Sequence, residues 1–247
     1  MNRGIQAVAS SMTNSEQWLD TVSNNLANAS TNGFKRDGMT FQATLQQVSA
    51  NGGTGASVGT ISNGTVIASP FSTMGELGPM TPTGNPLDVA LKTPGAMFAV
   101  KDSNGQISYT RDGSFTLDSE RNLVTQSGLK VLDDNRNPIQ LPTGQISISE
   151  TGSITASSSK GTTVVGKLGA YSGSFLKAGN NLYADPTGAA GTAVTNPDFA
   201  SRTLEGSNVN PVEAMLDLIK IGRSYELQQK SITSQDQLTQ KLVSTIG

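Results

Sequence analysis

The 247-residue chain contains no cysteine and no histidine. The first absence removes disulfide frameworks, thiolate nucleophiles and cysteine metal sites. The second removes the commonest general base and the commonest metal ligand. Charge is sparse as well: charged residues make up 15% and the net charge is -2. That leaves no basic footprint for nucleic acid and no polybasic patch for a membrane surface. Apolar residues, glycine not counted, stand at 35% and aromatics at 5%, and charge falls short of the roughly 25% of an ordinary globular chain. No stretch approaches the roughly 18–20 apolar residues of a membrane span. Met1-Asn2-Arg3-Gly4 leads into a run broken by Gln6, Ser10 and Ser11, unlike a signal-peptide core. A soluble, unprocessed chain is expected, and its length suffices for a real core.

Gly, Ser, Thr, Asn and Gln fill the deficit, and they are not spread evenly. From Ile5 to Arg36 apolar residues recur at alternating spacings of three and four: Ile5, Val8, Met12, then Ser15, then Leu19, Val22 and Leu26. This is a heptad seam with one polar interruption. Its other face is polar but almost uncharged. Gly33 is the expected stop, since a residue without Cβ enters a left-handed cap cheaply, with Phe34 folding back over the last turn. At the far end Asn210 is the expected cap of a second helix, with Pro211 first and Glu213 three residues on. Its seam runs Ala214, Leu218, Ile221, Tyr225, Gln228, Ile232, Gln235, Thr239, Leu242, Ile246. Val212, Met215, Leu216 and Ile219 add apolar surface elsewhere, too much for a helix with one buried side. Such stripes more often pack on their own domain than between subunits, but these two lie at opposite ends of a turn-rich chain. The economical arrangement pairs them outside that middle.

Between the helices the period changes. Ser49 to Gly75 is rich in Gly, Ser, Thr and Asn, with Val58, Ile61, Val66 and Ile67 spaced through it. It reads as a linker or as an extended arm that pairs with neighbouring subunits. From Leu77 short apolar runs alternate with Gly, Asn and Asp turns. Strands are expected around 88–91, 97–100, 107–110, 115–117, 123–125, 130–132, 139–141, 146–148, 154–156, 162–165 and 182–183. That recurrence argues an antiparallel sandwich or barrel.

Several patterns tempt a catalytic or ligand-binding reading. Gly161 to Lys167 has P-loop spacing, but Leu168 replaces the magnesium-binding hydroxyl and the run between the glycines is β-branched, as in a strand. Asp133, Asn135 and Asn137 start like a calcium loop, yet Pro138 and Gly144 occupy its turn-glycine and bidentate-glutamate positions, so a turn is expected. Asp88, Asp112, Asp118 and Glu120 could supply a glycosidase carboxylate pair, but each adjoins a turn where acidic residues are ordinary.

Two longer motifs carry a resemblance. Asn24-Asn25-Leu26-Ala27-Asn28-Ala29-Ser30-Thr31-Asn32-Gly33-Phe34-Lys35 resembles the N-terminal signature of the bacterial flagellar rod and hook proteins, and Leu204-Glu205-Gly206-Ser207-Asn208-Val209-Asn210-Pro211-Val212-Glu213-Ala214-Met215 resembles their C-terminal one. Thr83 to Leu91 and Tyr109-Thr110-Arg111-Asp112-Gly113 resemble their central domain. Thr93 to Phe98 departs from it where relatives carry an aromatic pair. The continuation Pro211 to Met215 is most similar to the proximal rod (FlgF) type. The expected fold is α+β: an N-terminal helix over residues 1–36, an extended arm over 37–75, a β-rich domain over 76–203 and a C-terminal helix over 204–247. The two helices would form a coiled-coil module.

The resemblance implies a structural subunit of the basal-body rod. It would self-assemble into a helical tube that transmits torque and encloses the export channel. Partners would be other copies, related rod proteins and the export apparatus, with no nucleic acid and no membrane span. Location would be the periplasmic rod, reached without a cleaved signal. No catalytic, metal or cofactor residues are expected. The expected assembly interface is Ile5, Val8, Met12, Leu19, Val22, Leu26, Phe34, Leu218, Ile221, Tyr225, Ile232, Leu242 and Ile246. A distal rod or hook-type subunit is the alternative within the class. A carboxylate-dependent peptidoglycan hydrolase or a fibre module would be alternatives outside it.

Overall fold

The structure, a computed structural model, describes residues 3–44, 65–72, 75–158, 161–186 and 191–246. The chain divides into two units, and each takes residues from distant parts of the sequence.

The first unit contains helix α1, Arg3–Ala27, helix α2, Pro211–Ile246, and a hairpin of Asp37–Thr44 with Thr65–Ser72. At about 1.5 Å per residue the helices are roughly 37 and 54 Å long. α1 stops at Ala27, not at Gly33. Asn28 ends it: its carbonyl accepts from the Thr31 amide (3.1 Å) and its side-chain oxygen from the Thr31 hydroxyl (3.1 Å). Short polar side chains compete in this way with the helical ladder. α2 starts as its sequence suggests, with Asn210 Oδ1 accepting from the amides of Val212 (3.1 Å) and Glu213 (3.4 Å). Of the stretch read as an arm, Thr65–Ser72 is an antiparallel strand in register with Asp37–Thr44. Residues 49–64, 73 and 74 lie outside the described residues.

The second unit holds residues 28–36 and 73–209. Its main sheet has seven antiparallel strands in the order Leu176–Gly179, Leu182–Ala184, Ile107–Thr110, Phe98–Lys101, Lys130–Val131, Leu123–Val124, Thr116–Leu117. Gln145–Ile148, Ser153–Ser158 and Gly161–Lys167 form a separate three-stranded sheet. Two-stranded pairs join Phe199–Ser201 to Val89–Leu91 and Thr203–Glu205 to Met80–Pro82. These are open antiparallel sheets, not a closed barrel.

Period-two alternation explains the core. Phe98 and Val100 enter one apolar cluster with Leu91, Phe115, Leu123, Ile154 and Phe199. Met97 and Ala99, pointing the other way, enter a second with Tyr109, Tyr171, Phe175 and Tyr183. The scarce aromatics concentrate here: Phe98 meets Phe115 edge-on at 5.1 Å, and Tyr109 lies 4.2 Å from Phe175. Ile139 and Leu141 are buried in this core without forming a regular strand; the segment is held by a bridge between Gln140 and Asn122 and by backbone bonds of Ile139 to Leu123 and Val131 and of Leu141 to Arg121.

Candidate functional site

The N-terminal signature divides its work between the units. In the first, Asn25 is 4% exposed, accepts from the Asp37 amide (2.9 Å) and donates to the Asp37 carbonyl (2.7 Å). The side-chain amide thus acts as a strand partner for the start of the hairpin. In the second unit, residues 33–36 lie beside 205–208. The Gly33 amide donates to the Glu205 carbonyl (2.7 Å), the Asn208 amide to the Phe34 carbonyl (3.3 Å), and the Arg36 amide to Asn208 Oδ1 (2.6 Å). Gly33 has φ of +67°, and a Cβ there would come within 2.5 Å of the Arg111 carbonyl carbon. Glycine is therefore required twice over, by backbone conformation and by space. Phe34 is buried beneath Lys177, whose ammonium sits 4.1 Å from the ring centroid.

At the centre of this region lies an ion cluster with almost no exposure. Glu205 Oε1 accepts from Lys35 Nζ (2.7 Å) and the Gly78 amide (2.8 Å), while Oε2 accepts from Arg111 Nε (2.5 Å). Lys35 also donates to the Glu76 carbonyl, and the Arg111 guanidinium to the carbonyls of Leu91, Thr93 and Ala96. Two cations share one carboxylate. Burial pushes the Lys35 ammonium below the ordinary lysine value of 10.5, against the pull of the hydrogen-bonded Glu205 carboxylate. The sequence reading did not single out Lys35, Arg111 or Glu205. Their signal lies in the sequence all the same: each is a charge inside a motif that carries the family resemblance, in a chain poor in charge.

The helix seams meet within one chain. Gln228 Nε2 donates to the hydroxyls of Ser11 (2.9 Å) and Ser15 (3.3 Å), and Tyr225 donates to Glu16 (3.2 Å). As numbers rise along α1 they fall along α2, so the pair is antiparallel. Of the expected interface residues, Val22 and Ile221 are buried, Val8, Met12, Leu26, Leu218, Tyr225 and Ile232 are half-buried, and Leu19 is 37% exposed. Phe34 belongs to the second unit. The side chains of Ile5, Leu242 and Ile246 lie outside the described residues. On the opposite side of α2, Val212, Met215, Leu216 and Ile219 are 66, 50, 52 and 54% exposed. Their spacing of three, four and seven places them on one helical face, about half a turn from Ala214, Leu218 and Ile221.

The carboxylates considered for hydrolysis have local partners. Asp88 accepts from Thr83 (2.6 Å) and Asn85 (2.9 Å), Asp112 from the Ser114 amide and hydroxyl, and Asp118 from Asn122 and the Glu120 amide. Asp133 takes the Asn135 and Asn137 amides as a turn, and Gly161–Lys167 is a strand. Among the described residues no cluster of three or more His, Cys, Asp or Glu could hold a metal, and no helix is long and apolar enough to cross a membrane.

An antiparallel helix pair with an uncovered apolar face, joined in one chain to a turn-rich β unit, is the build of an assembly-type protein. Family models agree: residues 5–35 match "Flagella basal body rod protein", 95–156 "Flagellar hook protein FlgE/F/G D1 domain" and 200–245 "Flagellar basal body rod FlgEFG protein C-terminal". The chain is 36% identical over 235 residues to the flagellar basal-body rod protein FlgF of Caulobacter vibrioides, covering 93% of this chain and 91% of that protein. It is 34% identical to FlgG of Buchnera aphidicola subsp. Schizaphis graminum, covering 91 and 92%, and 31% identical to FlgG of Bacillus subtilis, covering 99% of each. The chain belongs to the flagellar basal-body rod protein family.

Proposed function

We propose that this chain is a structural subunit of the bacterial flagellar basal-body rod, and that it presents the Val212, Met215, Leu216 and Ile219 face of α2 to a neighbouring subunit. The observation that carries the reading is that exposed stripe, on the side of α2 opposite the seam used inside the chain. A contiguous apolar helical face left uncovered marks a partner surface, and the partner is another copy or a related rod protein. Leu19, exposed on α1, adds to the assembly surface, while Val22 and Ile221 serve chiefly to pair α1 with α2. The module contributes to a helical tube that carries torque around the export channel. The subunit reaches the periplasmic rod through the flagellar export apparatus. The Pro211 to Met215 run and the similarity to FlgF favour a proximal position. The role is structural rather than enzymatic, in keeping with the local, turn-type partners of its carboxylates.

Complementation of a strain lacking the gene tests this. Met215→Asp with Leu216→Asp should abolish motility and incorporation into isolated basal bodies, because carboxylates would be desolvated against a partner. The soluble monomer should keep its thermal stability within a few degrees, since both sites are wet there. Normal incorporation of the double variant would remove this face from the interface.

A further inference from the structure

The ion cluster has an asymmetry with consequences for how the second unit closes. Lys35 and Arg111 are both buried, and among the described residues the one carboxylate bonded to them is Glu205. The three come from positions far apart in the chain. Lys35 lies in the segment that follows α1, Arg111 in the turn after strand Ile107–Thr110, and Glu205 in the last strand before α2. Glu205 also holds the Gly33 amide through its backbone carbonyl and the Gly78 amide through its side chain. Arg111 in turn gathers the carbonyls of Leu91, Thr93 and Ala96.

We propose that Glu205 is a closure latch: its carboxylate is what permits Lys35 and Arg111 to be buried, so segments 33–36, 76–78 and 203–208 reach their final places together. Without that carboxylate the site holds two like charges removed from water, which forces one or both segments outward. With it, two charge-assisted bonds and the backbone pairings form at once. A chain emerging from its N-terminus has Lys35 and Arg111 in place long before residue 205. The β unit therefore stays open along this side until residue 205 is present. The latch is a property of the second unit and does not depend on the rod interface.

Charge accounting gives the latch a distinctive test in the full-length chain. Glu205→Gln leaves two buried cations with no carboxylate bonded to them, the Glu76 charge acting on Lys35 only from farther off. Lys35→Met leaves one ion pair, Arg111 with Glu205. The combination Lys35→Met with Glu205→Gln leaves a single cation that retains its three carbonyl partners. Hydrogen exchange of peptides covering 28–36, 76–80 and 203–209 is the readout, with 145–167 as internal control. Glu205→Gln should speed exchange in the three test peptides at least tenfold while sparing the control. Lys35→Met should change them less, and the double variant should recover a substantial part of the protection lost in Glu205→Gln. If Glu205→Gln does not fold, recovery of a folded β unit in the double variant still supports the latch. Exchange within twofold of wild type in Glu205→Gln, or no recovery in the double variant, overturns it.

Discussion

At the scale of single residues, the polar side chains that matter most are those replacing something the backbone lacks. Asn25 substitutes for a strand partner, Asn28 ends a helix, and Glu205 gathers two cations and two amides. Asp112 shows the opposite case, a carboxylate that costs something in the folded chain. Burial raises its value above the ordinary 3.8, opposed by bonds from the Ser114 amide and hydroxyl, with the Asp88 charge adding to the rise. A value raised on folding means the native state binds the proton more tightly. Its contribution is fully present below about 3.8 and is lost as pH climbs through the higher folded value. Asp112→Asn keeps an acceptor for Ser114 without the charge. Relative to wild type it should therefore gain stability as pH rises through that window and hold a constant gain above it. Denaturant melts of both proteins from pH 3 to 7 would show this. A hydrolase using Asp112 would instead lose its function on this substitution, so retained motility with the predicted pH trend separates the two readings.

At the scale of elements, the strongest local signals were legible. The seam at three and four spacing gives both helices, Asn210 gives the start of α2, and glycine-containing turns separate most strands of the large sheet. What stayed hidden depends on partners distant in sequence. Met80–Pro82 and Thr203–Glu205 are three-residue strands that exist because they pair with each other, and neither has a period long enough to read. Gly33 offers a familiar stop, whereas the Asn28 side chain, bonded by Thr31, acts five residues earlier at the true end of α1. Gly33 is left-handed for another purpose, passing close to Arg111. The seam itself carried an ambiguity: periodicity shows that a face is buried, not whether its cover is the same chain. Ser15 and Gln228, the polar positions in the two stripes, bond to each other and set the antiparallel register, a specificity role for polar seam residues. The hairpin is held to α1 by Asn25, so Asn25→Ala should destabilise the first unit by about 1–3 kcal/mol, the usual cost of orphaning buried polar partners. Trp18, the single tryptophan of the chain and a residue of α1, provides the fluorescence signal for that melt. An unchanged midpoint would show that the clamp is dispensable.

At the scale of the whole molecule, the two units rest on different physics. The second has two apolar clusters on the faces of one sheet and a buried ion cluster. The first is two long helices with a partly polar seam, a short hairpin and an apolar face still turned to solvent. Isolated helices gain little from propensity alone and depend on covered apolar surface. In the monomer the first unit should therefore melt at lower temperature than the second. The chain supplies separate reporters: Trp18 follows the first unit, and the near-ultraviolet circular dichroism of buried Tyr109, Tyr171 and Tyr183 follows the second. The Trp18 transition should precede the tyrosine transition by several degrees or more, and a single two-state description should fail. Assembly should then raise the Trp18 transition by mass action, because neighbours bind only the folded helix pair. Met215→Asp with Leu216→Asp should leave the monomer's two midpoints in place while eliminating that rise. Coincident transitions in the monomer would mean that the units fold as one cooperative body. A Trp18 midpoint that ignores assembly would mean that the exposed face of α2 is not where neighbours dock.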